Sequence, residues 1–191
     1  MIIVKLGGSL YASAELKLWC DYLANTQQLQ VIIVPGGGPF ADQVRHASSQ
    51  WNLSELNAHK MAMLAMQQYG LLISNLNTNL IPIDSYEDIN SHTHCVWMPF
   101  RDVLNECDYP ENWQTSSDSL ALWLANKLSV KHLCIVKSAQ IEDKSNSQLI
   151  HSNIVDEYFP VAAKKYLGSI HFYCVSQFKK FLNDIHHGKF D

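Results

Sequence analysis

The stretch Ile2-Ile3-Val4-Lys5-Leu6-Gly7-Gly8-Ser9 decides how the chain is read. Three β-branched residues lead into Lys5, and an apolar run of this length bounded by glycines reads as a buried strand. The Gly7-Gly8 pair lets the backbone turn sharply and brings its N–H groups close to a ligand. Ser9 then stands near the start of a helix, where free N–H groups and the helix dipole favour an anion. A lysine closing the strand reaches the same anion. The local design is strand, phosphate-friendly turn and helix, with one cation built in.

The design recurs. Val31-Ile32-Ile33-Val34 runs through Pro35 into Gly36-Gly37-Gly38, and a helix is expected from about Phe40 to Gln50. Two parallel strands joined by a right-handed crossover would set the two glycine turns side by side, at the sheet edge where open α/β sheets bind ligands. Neither turn gives the dinucleotide pattern Gly-x-Gly-x-x-Gly, and neither follows the Walker pattern of a lysine directly after the last glycine: in the first turn the lysine precedes the glycines. The expectation is a phosphate clamped between two glycine turns.

Beyond these turns, strands and helices alternate. A helix is expected over Ala12–Asn25 and another from Ser54, with Ser54 as N-cap and Gly70 as a point of interruption. Ile81-Pro82-Ile83 reads as an edge segment. Strands are expected at Thr93–Pro99, Leu133–Val136 and Ile170–Val175, with a helix over Ser119–Leu128 and a last one over Ser176–Ile185. Ser138–Ser152 reads as a polar loop, and His186–Asp191 as a loose tail. Such alternation predicts an α/β fold, a three-layer α/β/α sandwich with a mainly parallel sheet. No linker divides the chain, so 1–191 reads as one domain.

Composition narrows the function classes. The 191 residues are 47% hydrophobic and carry a net charge of −4, from 14 basic and 18 acidic side chains. No basic run suggests nucleic acid, and no apolar run reaches the ~20 residues of a membrane span. The chain opens directly on a strand, so no signal peptide is expected. Its five cysteines are odd in number and widely spaced. They read as free thiols of a reducing, cytoplasmic compartment, without a zinc or redox Cys-x-x-Cys pair.

Four further positions carry candidate chemistry. Asp118, after Thr115-Ser116-Ser117, reads either as a helix cap or as a carboxylate orienting lysine ammoniums or a metal. Phosphoryl transfer asks chiefly for positioning and for positive charge on the migrating group; Lys5 would supply charge, and Asp118 would hold it. Lys137 closes a strand as Lys5 does, as a second cation of the site or as a solvated lysine. His59 reads as a surface histidine, or as an acceptor contact if its helix lines the pocket. Ser117 joins the acceptor candidates. His92-x-His94-Cys95 resembles a metal cluster only superficially, and no metal ligand is assigned. Trp51, Trp97 and Trp123 read as core or interface residues, and Trp113 as the border of a pocket.

Taken together, Val4–Ser9, Val34–Phe40 and Thr115–Leu124 resemble the motifs of the amino acid kinase family, which includes acetylglutamate, aspartate, uridylate and isopentenyl phosphate kinases. Asn57–Gly70 and Ile154–Phe159 are similar to a small branch that phosphorylates a furan-methyl phosphate in the making of methanofuran-type cofactors. The resemblance implies ATP as donor, Mg2+ with it, a small acceptor bearing a phosphate or carboxylate, and a homodimer. Carried over, Lys5 would contact the migrating phosphoryl group and Asp118 would be the organising carboxylate. Gly7, Gly8 and Ser9 would hold nucleotide phosphates, and Gly36, Gly37 and Gly38 would face the transferring phosphoryl and the acceptor. To these the reading of the residues themselves adds Lys137 as a catalytic candidate and His59 and Ser117 on the acceptor side. One departure stands out. Where the family shows Thr-Asp-x-x-Gly, this chain has Lys137-Ser138-Ala139-Gln140-Ile141-Glu142. Two alternatives stay open: a family member that keeps the phosphate cradle only as a binding or assembly module, and a kinase of an amino-acid carboxylate.

Overall fold

The structure is a computed structural model and describes residues 1–141 and 144–190. In chain order its elements are β1 (Ile2–Leu6), α1 (Glu15–Leu23), β2 (Val31–Pro35), α2 (Gly38–Trp51), α3 (Glu55–Leu76), β3 (Ile81–Ile83), β4 (His94–Trp97), α4 (Phe100–Glu106), α5 (Ser117–Lys127), β5 (His132–Lys137), α6 (Asn146–Ile150), α7 (Phe159–Ala163), β6 (Ser169–Cys174) and α8 (Phe178–His186). Short 3-10 turns at Gly8–Ala12, Tyr86–Ser91 and Val175–Gln177 join them.

The strands form one six-stranded sheet in the order β3-β4-β2-β1-β5-β6, every pairing parallel. β1 and β2 are buried along their whole length, as expected of strands covered on both faces. β6 shows the layering directly. Phe172 packs on Phe159 of α7, while the next residue, Tyr173, packs on Trp19 of α1 and Phe181 of α8. Alternate side chains leave opposite faces of a strand, so helices cover both sides and the three-layer α/β/α expectation holds. The chain leaves β1 toward β2 and leaves β5 toward β6, so the connections diverge between β1 and β5. That is the switch point at which such sheets open a crevice.

Several local expectations change. The expected helix over Ala12–Asn25 splits, because Ser13 is extended and its hydroxyl accepts from the Glu15 N–H, starting α1 there. Ser54 does cap α3, accepting from the Asn57 N–H at 3.3 Å. Gly70 does not interrupt that helix. A Cβ there would come within 2.8 Å of Met98 Sδ, so the glycine serves close packing against the sheet. The Ser138–Ser152 stretch is not wholly loop. Ser145 and Gln148 form a reciprocal capping box that starts α6, although Glu142 lies outside the described residues. The tail as far as Phe190 is anchored rather than loose, since Phe190 is buried against His132, His171 and Phe181, and Asp191 lies outside the described residues. Trp97 and Trp123 stack in the core with centroids 5.9 Å apart, whereas Trp51 is 70% exposed and belongs to no core.

Candidate active site

The site begins with a lysine that the sheet buries. Lys5 pairs in register with Val34 on one side and Ile135 on the other, so it sits at the sheet centre. Its Nζ lies 2.7 Å from Asp118 Oδ1, and Lys137 Nζ donates to Asp118 Oδ2 at 2.6 Å. One carboxylate thus holds two ammoniums, one on each oxygen, with Lys5 and Asp118 only 2% and 3% exposed. Lys137 thus comes to the same carboxylate as Lys5.

Asp118 is not the helix cap. Ser116 caps α5, its hydroxyl accepting from the Asp118 N–H at 3.5 Å. This leaves the Asp118 side chain free to face the lysines. Burial by itself would raise the Asp118 carboxyl, but the charges of Lys5 and Lys137 outweigh it and hold the group below the usual carboxylate range. Burial is also the largest influence on Lys5. Together with the repulsion from Lys137 it overcomes the attraction of Asp118, and lowers Lys5 to about 8.

The two glycine turns touch. A Cβ on Gly8 would lie 2.4 Å from Gly38 N, and one on Gly36 would lie 2.3 Å from Gly8 N. Only residues without side chains let these backbones meet. Gly38 also takes φ +54°, a left-handed conformation suited to glycine. Gly37 is constrained differently. A Cβ there would strike Ala41 Cβ at 2.3 Å, within the first turn of α2.

Around this floor opens a cavity of about 540 Å3. Of the candidates read from the sequence, Lys5, Gly8, Ser9, Gly37, Gly38, His59, Ser117, Asp118 and Lys137 line it. Gly7 and Gly36 stand outside the lining. Their N–H groups donate to Val136 O at 3.0 Å and Leu6 O at 2.8 Å, so the sheet already uses them. His59 is not a surface histidine; it is buried on the α3 face of the cavity. Burial lowers its pKa, against a hydrogen bond with the Asn112 backbone that raises it, so the neutral imidazole prevails at pH 7. His94 Nε2 lies 2.8 Å from the Thr26 carbonyl oxygen, on β4 and away from the cavity.

Sequence reasoning missed other walls. Ala62, Met63 and Met66 follow His59 at helical spacing and line the same α3 face. Tyr11 adds aromatic surface beside Trp113, which the sequence already offers as the border of a pocket and which lines this one. Arg45 sits 5.1 Å from the Trp113 ring centroid, and its Nη1 donates to Asp42 Oδ1 at 2.7 Å. The Thr115 hydroxyl is buried on the lining without a hydrogen-bond partner, a polar group that a ligand would satisfy. The charged lining comprises Lys5, Lys137 and Arg45 against Asp118 and Asp42, an arrangement that favours an anion.

Three kinds of likeness bear on this geometry. A family profile described as "Amino acid kinase family" matches residues 1–84. The chain is 30% identical over 182 residues to a [5-(aminomethyl)furan-3-yl]methyl phosphate kinase of Methanocaldococcus jannaschii, covering 87% of this chain and 84% of that protein. The fold resembles a uridylate kinase from Archaeoglobus fulgidus, with TM-score 0.70 and 15% identity over 95% of both chains. It also resembles an isopentenyl phosphate kinase in a substrate complex, with TM-score 0.60 and 13% identity over 100% of this chain and 97% of that one. The chain belongs to the amino acid kinase family and is a phosphotransferase.

Proposed function

We propose that the protein transfers the γ-phosphoryl group of ATP to the phosphate of a small monophosphate, giving a diphosphate and ADP. The carrying observation is the buried Asp118 carboxylate, gripped on its two oxygens by Lys5 and Lys137 beside both glycine turns. A migrating phosphoryl group spreads charge over its equatorial oxygens, so preorganised cations stabilise it without reorganising. Asp118 holds the two ammoniums in place before substrate arrives. Gly8 and Ser9 face the nucleotide phosphates. Gly37, Gly38, His59 and Ser117 face the transferring group and the acceptor.

The acceptor needs no strong base. A phosphate monoester has its second pKa near ~6, so its attacking oxygen is already deprotonated at pH 7. The neutral His59 then serves as a hydrogen-bonding partner. The acceptor we favour is a furan-methyl phosphate with an aminomethyl arm, the compound in the name of the Methanocaldococcus jannaschii relative. Tyr11, Trp113, Met63 and Met66 offer flat apolar walls for the ring, Arg45 offers charge to the phosphate, and Asp42 offers charge to the amine.

Magnesium fits as a companion of ATP. Both Asp118 oxygens hold ammoniums and Asp42 holds Arg45. Among the described residues no group of three or more His, Cys, Asp or Glu side chains is placed to cage a metal. We therefore assign Mg2+ to the nucleotide phosphates, where it commonly keeps most of its contacts.

We further propose that residues 1–191 work as one domain, their strands sharing a single sheet, and that the protein acts as a homodimer in the cytoplasm. The unpaired thiols suit a reducing compartment, and exposed Leu64 and Leu71 on α3 give apolar surface for a partner copy. No helix among the described residues is long and apolar enough to cross a membrane.

The test is calorimetry of ATP–Mg2+ binding, followed by turnover with furan-methyl phosphate, other small monophosphates and amino-acid carboxylates. Micromolar binding and turnover with monophosphates are expected. Absence of nucleotide binding would overturn the kinase reading in favour of a phosphate-binding module, for which the changed segment after Lys137 is the motive. Turnover with carboxylates alone would overturn the acceptor class.

A further inference from the structure

The position of Asp118 depends on a turn of helix that something must hold. Asp156, in the segment between α6 and α7, reaches across to that turn. Its Oδ2 accepts from the Ser116 N–H at 2.9 Å, the Ser116 hydroxyl at 2.7 Å and the Ser119 N–H at 3.0 Å. Its Oδ1 accepts from the Ser119 hydroxyl and from the Phe159 N–H at 2.9 Å. A second tie runs alongside, from the Tyr158 N–H to the Gln114 carbonyl at 3.0 Å. Asp156 does not line the cavity. Its acceptor capacity is spent on the two serines that bracket Asp118 and on its own chain.

The arrangement has a specific consequence for Asp118. By donating to Asp156, the Ser116 hydroxyl is oriented so that its lone pair meets the Asp118 N–H. The free N–H groups at the start of α5 are thus occupied from behind by a carboxylate. The Asp118 side chain is left to the lysines in front. Burial, and then the neighbouring Asp118 charge, push the Asp156 carboxyl above its usual value, and the serine donors oppose this. A carboxylate is kept close to another at this cost, which marks the placement as one with a role.

We propose that Asp156 is a positioning residue of the phosphoryl-transfer site: it locks the first turn of α5 so that Asp118 meets Lys5 and Lys137 together. Asp156→Asn keeps the size but turns an NH2 group toward donors, so the turn relaxes. Misplacement of a reacting geometry by about an ångström costs on the order of 100-fold in rate. Because the nucleotide contacts at Gly8 and Ser9 lie on another turn, the loss falls chiefly on kcat with KM for ATP unchanged, whereas KM for the acceptor rises with Ser117, which sits on the relaxed turn. Ser119→Ala, which removes one of the donors, gives a smaller loss in the same sense.

The activity readout rests on the kinase reading, so a second readout stands apart from it. Nitrogen-15 spectra of the lysine ammonium groups report Lys5 and Lys137 directly, assigned through Lys5→Arg and Lys137→Arg. Asp118→Asn sets the signature of lost pairing, and Asp156→Asn is expected to move the same two signals in the same direction. Unmoved signals, or a kcat equal to wild type in folded Asp156→Asn, would overturn the proposal. A fall in melting temperature alone would assign Asp156 a purely structural role and overturn it as well. If the wild type transfers no phosphoryl group, the kinase reading fails, and the ammonium signals still decide the role of Asp156.

Discussion

The two stretches of chain on either side of Lys137 are built to different rules. Among the described residues, all those lining the cavity lie between Lys5 and Lys137. After Lys137 the chain supplies packing: Tyr173, Phe178 and Phe181 close around Trp19 of α1, and Phe190 covers the end of β5 and β6. Its polar reaches toward the site include Asp156, from behind, and Ser138, against Ser9. The lesson concerns what constrains a residue. Before Lys137, backbones must touch and charges must meet one anion, which dictates residue types one by one. After it, apolar volume is required, and many side chains supply that.

The sharpest way to break this contrast is at its front. Lys5→Ala removes a preorganised cation from the migrating group and is expected to cut turnover at least ~100-fold, measured as kcat in the folded variant. Turnover near wild type would make the buried ion cluster architectural.

A smaller and graded effect comes from pH. Lys5 is held at about 8, below its ordinary 10.5. Above about pH 8 the free enzyme loses that charge, so kcat/KM, which reports the free enzyme, is expected to fall on the alkaline side with a midpoint near that value. The sign for stability is opposite. Between the folded value and the unfolded one, the unfolded chain binds the extra proton, so this group adds stability as pH rises through that window. Chemical denaturation at two pH values inside the window, compared between wild type and Lys5→Met, checks the sign.

The smallest effect belongs to the back. Ser138 exchanges a 2.7 Å hydrogen bond with Ser9 across the exposed mouth of the turn. Ser138→Ala is expected to cost no more than ~1 kcal/mol in stability and to leave turnover within a few-fold of wild type. A loss as deep as that of Lys5→Ala would erase the contrast, moving the start of the back segment into the phosphate machinery.

Legibility in the sequence follows the same division. The β1 and β2 turns were readable because each sets a glycine run between a buried strand and a helix, the first with a lysine closing the strand, and the Asp118 turn because Thr115-Ser116-Ser117-Asp118 precedes an apolar helical stripe. The sheet was readable from strand–helix alternation. Which glycines face the cavity was not readable. Gly7 and Gly36 look identical to their neighbours until the sheet takes their N–H groups. The α3 wall of His59, Ala62, Met63 and Met66 was present as a periodic stripe, but a core helix produces the same stripe. In the back, Ser145-x-x-Gln148 was a capping-box signal inside a polar stretch that otherwise reads as loop. Asp156 lay inside the Ile154–Phe159 stretch that resembles the family branch, but nothing local disclosed its role, since its partners Ser116 and Ser119 lie on an element far away in sequence.

The central place of β1 also sets an order of assembly. β1 is synthesised before the other five strands of its sheet, yet it lies between β2 and β5. The Lys5 ammonium therefore waits for its counter-ion until α5 exists, and for its second strand partner until β5 exists. A nascent chain that has not yet reached β5 holds β1 open along one edge, the kind of unpaired edge that invites association with other chains. For this protein, vectorial synthesis from the ribosome delivers the reactive lysine first and its enclosure last.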